Sequence, residues 1–166
     1  MGTYEHVVQP FAPVYDENSE ILILGSLPSG KSREAGFYYG HPQNRFWKVV
    51  AAVFGQAEPV TIAEKKAMLL SCRVAVWDVI ESCDIIGASD SSVKNAAPAD
   101  VASLLKETGI RRVYVNGALA GRLYDKFLAQ KTGIEAVKLP STSPANARYR
   151  LDDLIESWQI IRWEDC

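Results

Sequence analysis

The chain has 166 residues, 48% apolar and 23% charged, with a net charge of −2 and a pI near 5.7. That length suits one domain, 1–166, able to bury a core without staples, and the composition excludes wholesale disorder. No apolar run is long enough to span a bilayer, and the acidic balance speaks against an avid, non-specific nucleic-acid binder while leaving room for a local basic face.

Residues 1–19 read as an irregular lead-in, with Pro10 and Pro13 breaking any pattern. Ile21-Leu22-Ile23-Leu24 followed by Gly25 is a short apolar run ending in a turn signal, a buried strand. Residues 26–40, with Pro28, Gly30, Gly36 and Gly40, read as a long loop, and loops of that length are usually functional. Pro42 opens a helix in which Phe46, Trp47, Val49, Val50 and Val53 fall at helical spacing, ended by Gly55. Thr61-Ile62-Ala63-Glu64 matches a capping box and starts a second helix to about Ser71. Val74 to Trp77 is the next strand, and the polar stretch from Asp84 to Asn95 reads as a loop. A helix over 98–108 has Pro98 in its first turn and stops at Gly109. Strand Arg112 to Val115, helix Ala118 to Gln130, strand Glu135 to Lys138, a Pro/Ser/Thr loop over 139–146 and a helix from Arg148 to about Ile161 complete the chain.

Strands alternating with helices imply a three-layer α/β/α sandwich around a mostly parallel four-stranded sheet. Ligands bind such sheets beyond the carboxyl ends of the strands. Four polar segments belong there: 26–44, Asp78 onward, Asn116-Gly117, and 141–148. The scattered cysteines Cys72, Cys83 and Cys166 form no CxxC pair, so no metal site, disulfide framework or iron–sulfur cluster is expected. The opening Met1-Gly2-Thr3-Tyr4-Glu5 lacks a secretion-signal layout, which predicts a cytoplasmic protein.

Gly25-Ser26-Leu27-Pro28-Ser29-Gly30-Lys31-Ser32 fits G-x-x-x-x-G-K-[ST] and follows a strand, as a nucleotide-binding phosphate loop does. Val74 to Asp78 even resembles the apolar strand that ends in a magnesium-holding Asp. The context is poorer, because a phosphate loop opens into a helix whose N-terminus favours the anion. Here Gly36, Gly40 and Pro42 would stop such a helix after about one turn. A nucleotide-binding protein or small kinase stands as an alternative.

Three blocks belong together: Gly25-Ser26-Leu27-Pro28; Tyr38-Tyr39-Gly40-His41-Pro42-Gln43-Asn44-Arg45-Phe46-Trp47; and Leu139-Pro140-Ser141-Thr142-Ser143-Pro144-Ala145-Asn146-Ala147-Arg148. They resemble the motifs of the uracil-DNA glycosylase superfamily from about Ile21 to Arg148. The His-Pro-x-Asn-Arg-Phe-Trp block is similar to the mismatch-specific uracil/thymine branch, and the whole set is most similar to the deoxyinosine (hypoxanthine) glycosylases. The resemblance implies a monofunctional glycosylase of base-excision repair that hydrolyses the N-glycosidic bond of a deaminated base, hypoxanthine, xanthine or uracil. Its partner would be DNA with a deaminated or mismatched base, and it would act as a monomer without cofactor or metal. One departure matters. The mismatch-specific enzymes place the attacking water with an Asn in the first turn, where this chain has Leu27, and uracil-specific enzymes have a His where this chain has Leu139. The hypoxanthine branch relies instead on the Asn of the second block, which is Asn44 here. A non-catalytic relative that only recognises damaged DNA is a further alternative.

An enzyme acting on a base must flip it out of the duplex. By the resemblance, Tyr39 is the stacking floor, and stacking is worth about 1–3 kcal/mol per base. Bond cleavage leaves an anionic base, which donors stabilise, and the Asn44 amide offers two N–H groups. A helix cap is the competing role for Asn44. Asp78 stands where uracil-specific enzymes read the base edge with an Asn, and a carboxylate accepts N–H groups such as hypoxanthine N1–H. Asn116 is a second catalytic candidate, contacting base or water, or simply a turn residue. Gly25, Ser26, Leu27 and Pro28 would line the base pocket, and His41 would touch a phosphate or the loop backbone. Ser141 and Ser143 would donate to phosphates, Pro144-Ala145-Asn146 would wedge into the stack, and Arg148 and Lys31 would meet the DNA backbone.

Overall fold

The computed structural model describes residues 2–27, 35–87 and 90–162. Its centre is a four-stranded sheet of β2 (Ile21–Gly25), β3 (Val74–Asp78), β6 (Arg112–Asn116) and β7 (Ala136–Leu139), in the order β3-β2-β6-β7. Every pairing in it is parallel. The unbroken apolar run of β2 suits a strand covered on both faces. Ile21 and Ile23 enter one core with Val74, Val76 and Tyr114, while Leu22 and Leu24 enter the other with Ala75, Val113 and Val115.

The first face is covered by α1 (Phe46–Val53), α2 (Ile62–Ser71), α6 (Leu151–Ser157) and a closing 3-10 turn (Trp158–Ile161). Helix α1 buries six of its eight residues, all but Lys48 and Ala52, as befits a helix packed nearly all round. Each fully buried Val or Phe side chain stabilises by about 1.5–3 kcal/mol. Helix α2 starts at the expected capping box, with Thr61 Oγ1 accepting from Glu64 N at 3.1 Å and Glu64 Oε1 accepting from Thr61 N at 2.9 Å. The second face is covered by α3 (Val101–Glu107) and α4 (Ala118–Phe127), through Val101, Leu104, Ala120 and Tyr124. The expected three-layer α/β/α sandwich is the observed fold.

Against expectation, a second sheet accompanies the first. Strands β1 (Glu5–Val8), β4 (Ile80–Ile85) and β5 (Lys94–Pro98) pair antiparallel in the order β1-β4-β5. So the lead-in is partly a strand, and the stretch from Asp84 to Asn95 holds the end of one strand and the start of another. Nothing in the local sequence announces them. Only Val7 is buried in β1, and β4 buries Ile80, Cys83 and Ile85 between polar residues, so cross-strand pairing rather than an apolar run makes these strands.

Several boundaries move for identifiable reasons. Pro42 does not open α1: residues 41–44 form a turn closed by Asn44 N donating to His41 O at 2.9 Å, and the helix begins at Phe46. Pro98 ends β5, and α3 starts behind Asp100, whose side chain accepts from Ser103 N. Helix α4 breaks at Leu128 before a one-turn α5 (Ala129–Thr132), closed by Gly133 in the left-handed region at φ 68°. The last helix begins at Leu151, where Asp153 Oδ2 accepts from Arg150 N at 2.9 Å.

Candidate active site

Parallel register brings the sequence candidates to one edge. Gly25 pairs with Asp78, Leu24 with Val115, and Asn116 with Leu139. Gly25, Asp78 and Asn116 thus stand side by side at the carboxyl ends of β2, β3 and β6. Gly25 is required by space: a Cβ there would collide with Asp78 Oδ1 and lie 3.0 Å from Tyr39 Oη.

Tyr39 folds over this edge from the loop ahead of α1. Its backbone lies in the left-handed region, φ 53°, and its ring stacks on buried Phe46 with centroids 4.0 Å apart and planes 17° apart. Tyr39 Oη is buried without a hydrogen-bond partner among the described residues. Burial, then the nearby Asp78 charge, raises its pKa well above the ordinary phenol range, and neighbouring Asn116 opposes the shift.

Asp78 is buried, and burial pushes its carboxyl up to about 7, against the hydrogen bond from Gln9. Gln9 Nε2 donates to Asp78 Oδ2, while Gln9 Oε1 accepts from Phe11 N at 2.9 Å. Since Phe11 N can only donate, the Gln9 amide is oriented with its NH2 toward Asp78. The unexpected strand β1 is what brings Gln9 here, with Gln9 N donating to Glu81 O.

Asn44 Oδ1 accepts from Phe46 N at 2.9 Å and from Thr142 Oγ1 at 2.9 Å. Arg45 holds the N-cap position of α1; Asn44, one residue earlier, bonds the first N–H of the helix, and its carbonyl is spent on that bond and on Thr142. Its Nδ2 donors have no partner among the described residues. Asn116 Nδ2 donates to Thr142 Oγ1 at 3.0 Å, and Asn116 Oδ1 accepts from Thr142 N at 3.1 Å. The two asparagines, 72 residues apart in sequence, are joined by one buried threonine. Gly117, at φ 98°, lets the last loop lie close: a Cβ there would stand 3.1 Å from that of Ser141.

The loop over 141–149 is clamped by Arg45. Its guanidinium donates to the carbonyl oxygens of Ser143 (2.8 Å), Asn146 (3.2 Å), Thr142 (3.4 Å) and Tyr149. Trp158 Nε1 holds Pro140 O at 2.9 Å from behind. Ser141 Oγ and Ser143 Oγ accept from Ser143 N and Ala145 N, and Asn146 Nδ2 donates to Ser141 O. Ala145 and Arg148 are exposed and Pro144 is half-buried. His41 Nδ1 accepts from Gln43 N at 3.0 Å, a contact within the loop backbone. Ser26 O accepts from Ile80 N, and half-buried Leu27 packs on the second core. Pro28, Lys31 and most of the phosphate-loop match lie outside the described residues. Among the described residues, no three His, Cys, Asp or Glu side chains converge to hold a metal ion, and no helix is long and apolar enough to cross a membrane.

Three participants escape sequence reasoning. Thr142 is fully buried yet sits between two serines in a polar loop, Gln9 lies in a stretch that reads as irregular, and Arg45 sits inside the quoted block without a role. Only the folded geometry assigns them partners. Chemically, the edge offers an aromatic face, oriented amide donors and a buried carboxyl, which suits holding a planar heterocycle and stabilising charge that develops on it.

A family model described as the uracil DNA glycosylase superfamily matches residues 12–162. A protein named hypoxanthine DNA glycosylase from Methanosarcina acetivorans is 38% identical over 153 residues, covering 91% of this chain and 95% of the relative. A protein of the same name from Methanosarcina barkeri is 35% identical over 143 residues, covering 84% and 89%. The solution NMR structure of an M. acetivorans protein, named as a candidate uracil DNA glycosylase, superposes with a TM-score of 0.76 at 34% identity, covering 92% of this chain and 97% of that one. Neither the nucleotide-binding alternative nor the non-catalytic one gains support from these relatives.

Proposed function

Because the chain belongs to the uracil DNA glycosylase superfamily, we propose that it is a monofunctional DNA glycosylase that flips a deaminated base, hypoxanthine first, and hydrolyses its N-glycosidic bond. The observation that carries the reading is Asn44: its carbonyl is fixed by Phe46 N and Thr142 Oγ1, which leaves both Nδ2 donors without a partner among the described residues. The cleaved bond leaves an oxocarbenium-like sugar and an anionic base. Donors aimed at the base stabilise that anion, an effect commonly worth about 100- to 1,000-fold in rate for one donor. With Leu27 in the first turn, Asn44 is the residue assigned to the reacting centre.

Tyr39, backed by Phe46, forms the floor beneath the base. Asp78 meets the base edge: ionised, it accepts N1–H of hypoxanthine, and protonated, it donates to O6. The loop over 141–148 supplies the wedge and phosphate contacts, with Arg148 exposed for the DNA backbone. DNA with a deaminated base is the partner, and no second copy is needed for flipping.

The test is excision from labelled duplexes carrying one hypoxanthine, xanthine, uracil or mismatched thymine, with EDTA present, beside Asn44→Ala. Alkali-sensitive breaks at a modified base, slowed about 100-fold or more in Asn44→Ala while duplex binding persists, are the expected result. No break on any duplex with enzyme in excess overturns the proposal.

A further inference from the structure

Thr142 has a side chain and backbone fully committed to other site residues. Its hydroxyl donates to Asn44 Oδ1 at 2.9 Å and accepts from Asn116 Nδ2 at 3.0 Å. Its backbone N donates to Asn116 Oδ1 at 3.1 Å, and its carbonyl oxygen accepts from Arg45 N and Nε. It is 0% exposed.

The direction of every bond follows from groups that can only donate. Phe46 N–H requires an oxygen opposite it, so Asn44 faces it with Oδ1. Thr142 N–H likewise requires Asn116 Oδ1, which turns the Asn116 NH2 toward Thr142 Oγ1. The hydroxyl then has one proton left, and it goes to Asn44 Oδ1. The result is a one-way chain, Asn116 to Thr142 to Asn44. Each donor in such a chain polarises the next, so the amide at its end is both fixed in orientation and made a better donor through Nδ2.

We propose that Thr142 is a positioning residue for base excision, tying the Asn44 and Asn116 amides together so that Asn44 Nδ2 is held toward the leaving base. The inference rests on the glycosylase reading above. It acts through Asn44 and requires no contact between Thr142 and DNA.

The experiment compares single-turnover excision rate and duplex Kd for wild type, Asn44→Ala, Thr142→Val and Thr142→Ser, with thermal melting of each. Thr142→Val keeps the shape and removes the hydroxyl; Thr142→Ser keeps the hydroxyl and removes a methyl. Thr142→Val should lower the excision rate by about 10- to 100-fold, the scale of misplacing a reacting group by about 1 Å, with Kd within about twofold. Thr142→Ser should return to within about threefold of wild type, even where its Tm is the lower of the two. A packing role predicts the reverse order, since Val fills the same volume and Ser opens a cavity, and a role in stability alone makes the excision rates follow Tm rather than the hydroxyl; either result overturns the inference. If Thr142→Val shows no cooperative melting, Thr142→Cys, which nearly keeps the volume with only a weak donor, takes its place under the same criteria. If wild type cuts and Asn44→Ala does not, but Thr142→Val keeps the wild-type rate, the inference alone falls. If wild type cuts no base, or Asn44→Ala cuts as fast as wild type, the reading beneath it fails and takes the inference with it.

Discussion

Replacing Asp78 by Asn preserves the shape of the buried group and its acceptor for Gln9, but removes its ionisation. Burial lifts the Asp78 pKa from 3.8 to about 7. In an unfolded chain the carboxyl ionises near its ordinary value, so between about pH 4 and pH 7 the native state keeps a proton that the unfolded state has lost. This group therefore costs nothing below about pH 4, destabilises progressively as pH rises, and exerts its full effect above about pH 7. A shift of about three units at 1.36 kcal/mol each amounts to about 4 kcal/mol, against a total stability of about 5–15 kcal/mol for a typical domain. About two of those units lie between pH 5 and pH 7. Urea unfolding of wild type and Asp78→Asn at pH 5 and pH 8 isolates the effect, because all other titrating groups are common to both. The stability of Asp78→Asn should gain on wild type by about 3 kcal/mol between the two pH values. A gap that moves by less than about 0.5 kcal/mol would refute the reasoning, since it would mean that the charged carboxyl is as well solvated in the fold as outside it.

Gly25→Ala should destabilise by about 1–3 kcal/mol, because the new methyl meets Asp78 Oδ1 and Tyr39 Oη in a packed corner. At about 2–4 °C per kcal/mol the loss is visible in a melting curve, and an unchanged Tm counts against the crowding argument. Arg45→Lys keeps the charge but not the planar fork that reaches several carbonyl oxygens at once. It should cost about 1–3 kcal/mol in urea unfolding and raise KM for duplex more than it lowers kcat; equal stability and KM would show that the clamp is dispensable.

The central sheet and the helices of the first layer are legible in the sequence because their signals are local. The apolar run Ile21 to Leu24, the capping pair Thr61 and Glu64, and the stripe Phe46, Val49, Val50 and Val53 each declare an element without knowing its neighbours. Strands β1, β4 and β5 are not legible, because Glu5 to Val8 becomes a strand only when it pairs with Ile85 to Ser82. The same divide runs through the site. Gly25, Asp78 and Asn116 follow strands and so fall at a carboxyl edge by rule. The Pro/Ser/Thr loop reads as a surface feature, whereas Thr142 at its heart is buried because Asn44, from a distant block, points its carbonyl there. For Asn44, the two candidate roles do not compete for one atom, since the carbonyl serves the first turn of α1 and Thr142 while Nδ2 has no partner among the described residues.

Arg45 holds the last loop by its carbonyl oxygens, and a carbonyl is the one polar group that every residue type carries. Side chains at 144, 145, 147 and 148 can therefore be exchanged without removing that clamp, whereas Ser143 and Asn146 also bond the loop through their side chains. An engineer has here a graftable segment whose main anchor is indifferent to the graft, with Thr142, Ser143 and Asn146 as the positions to leave alone.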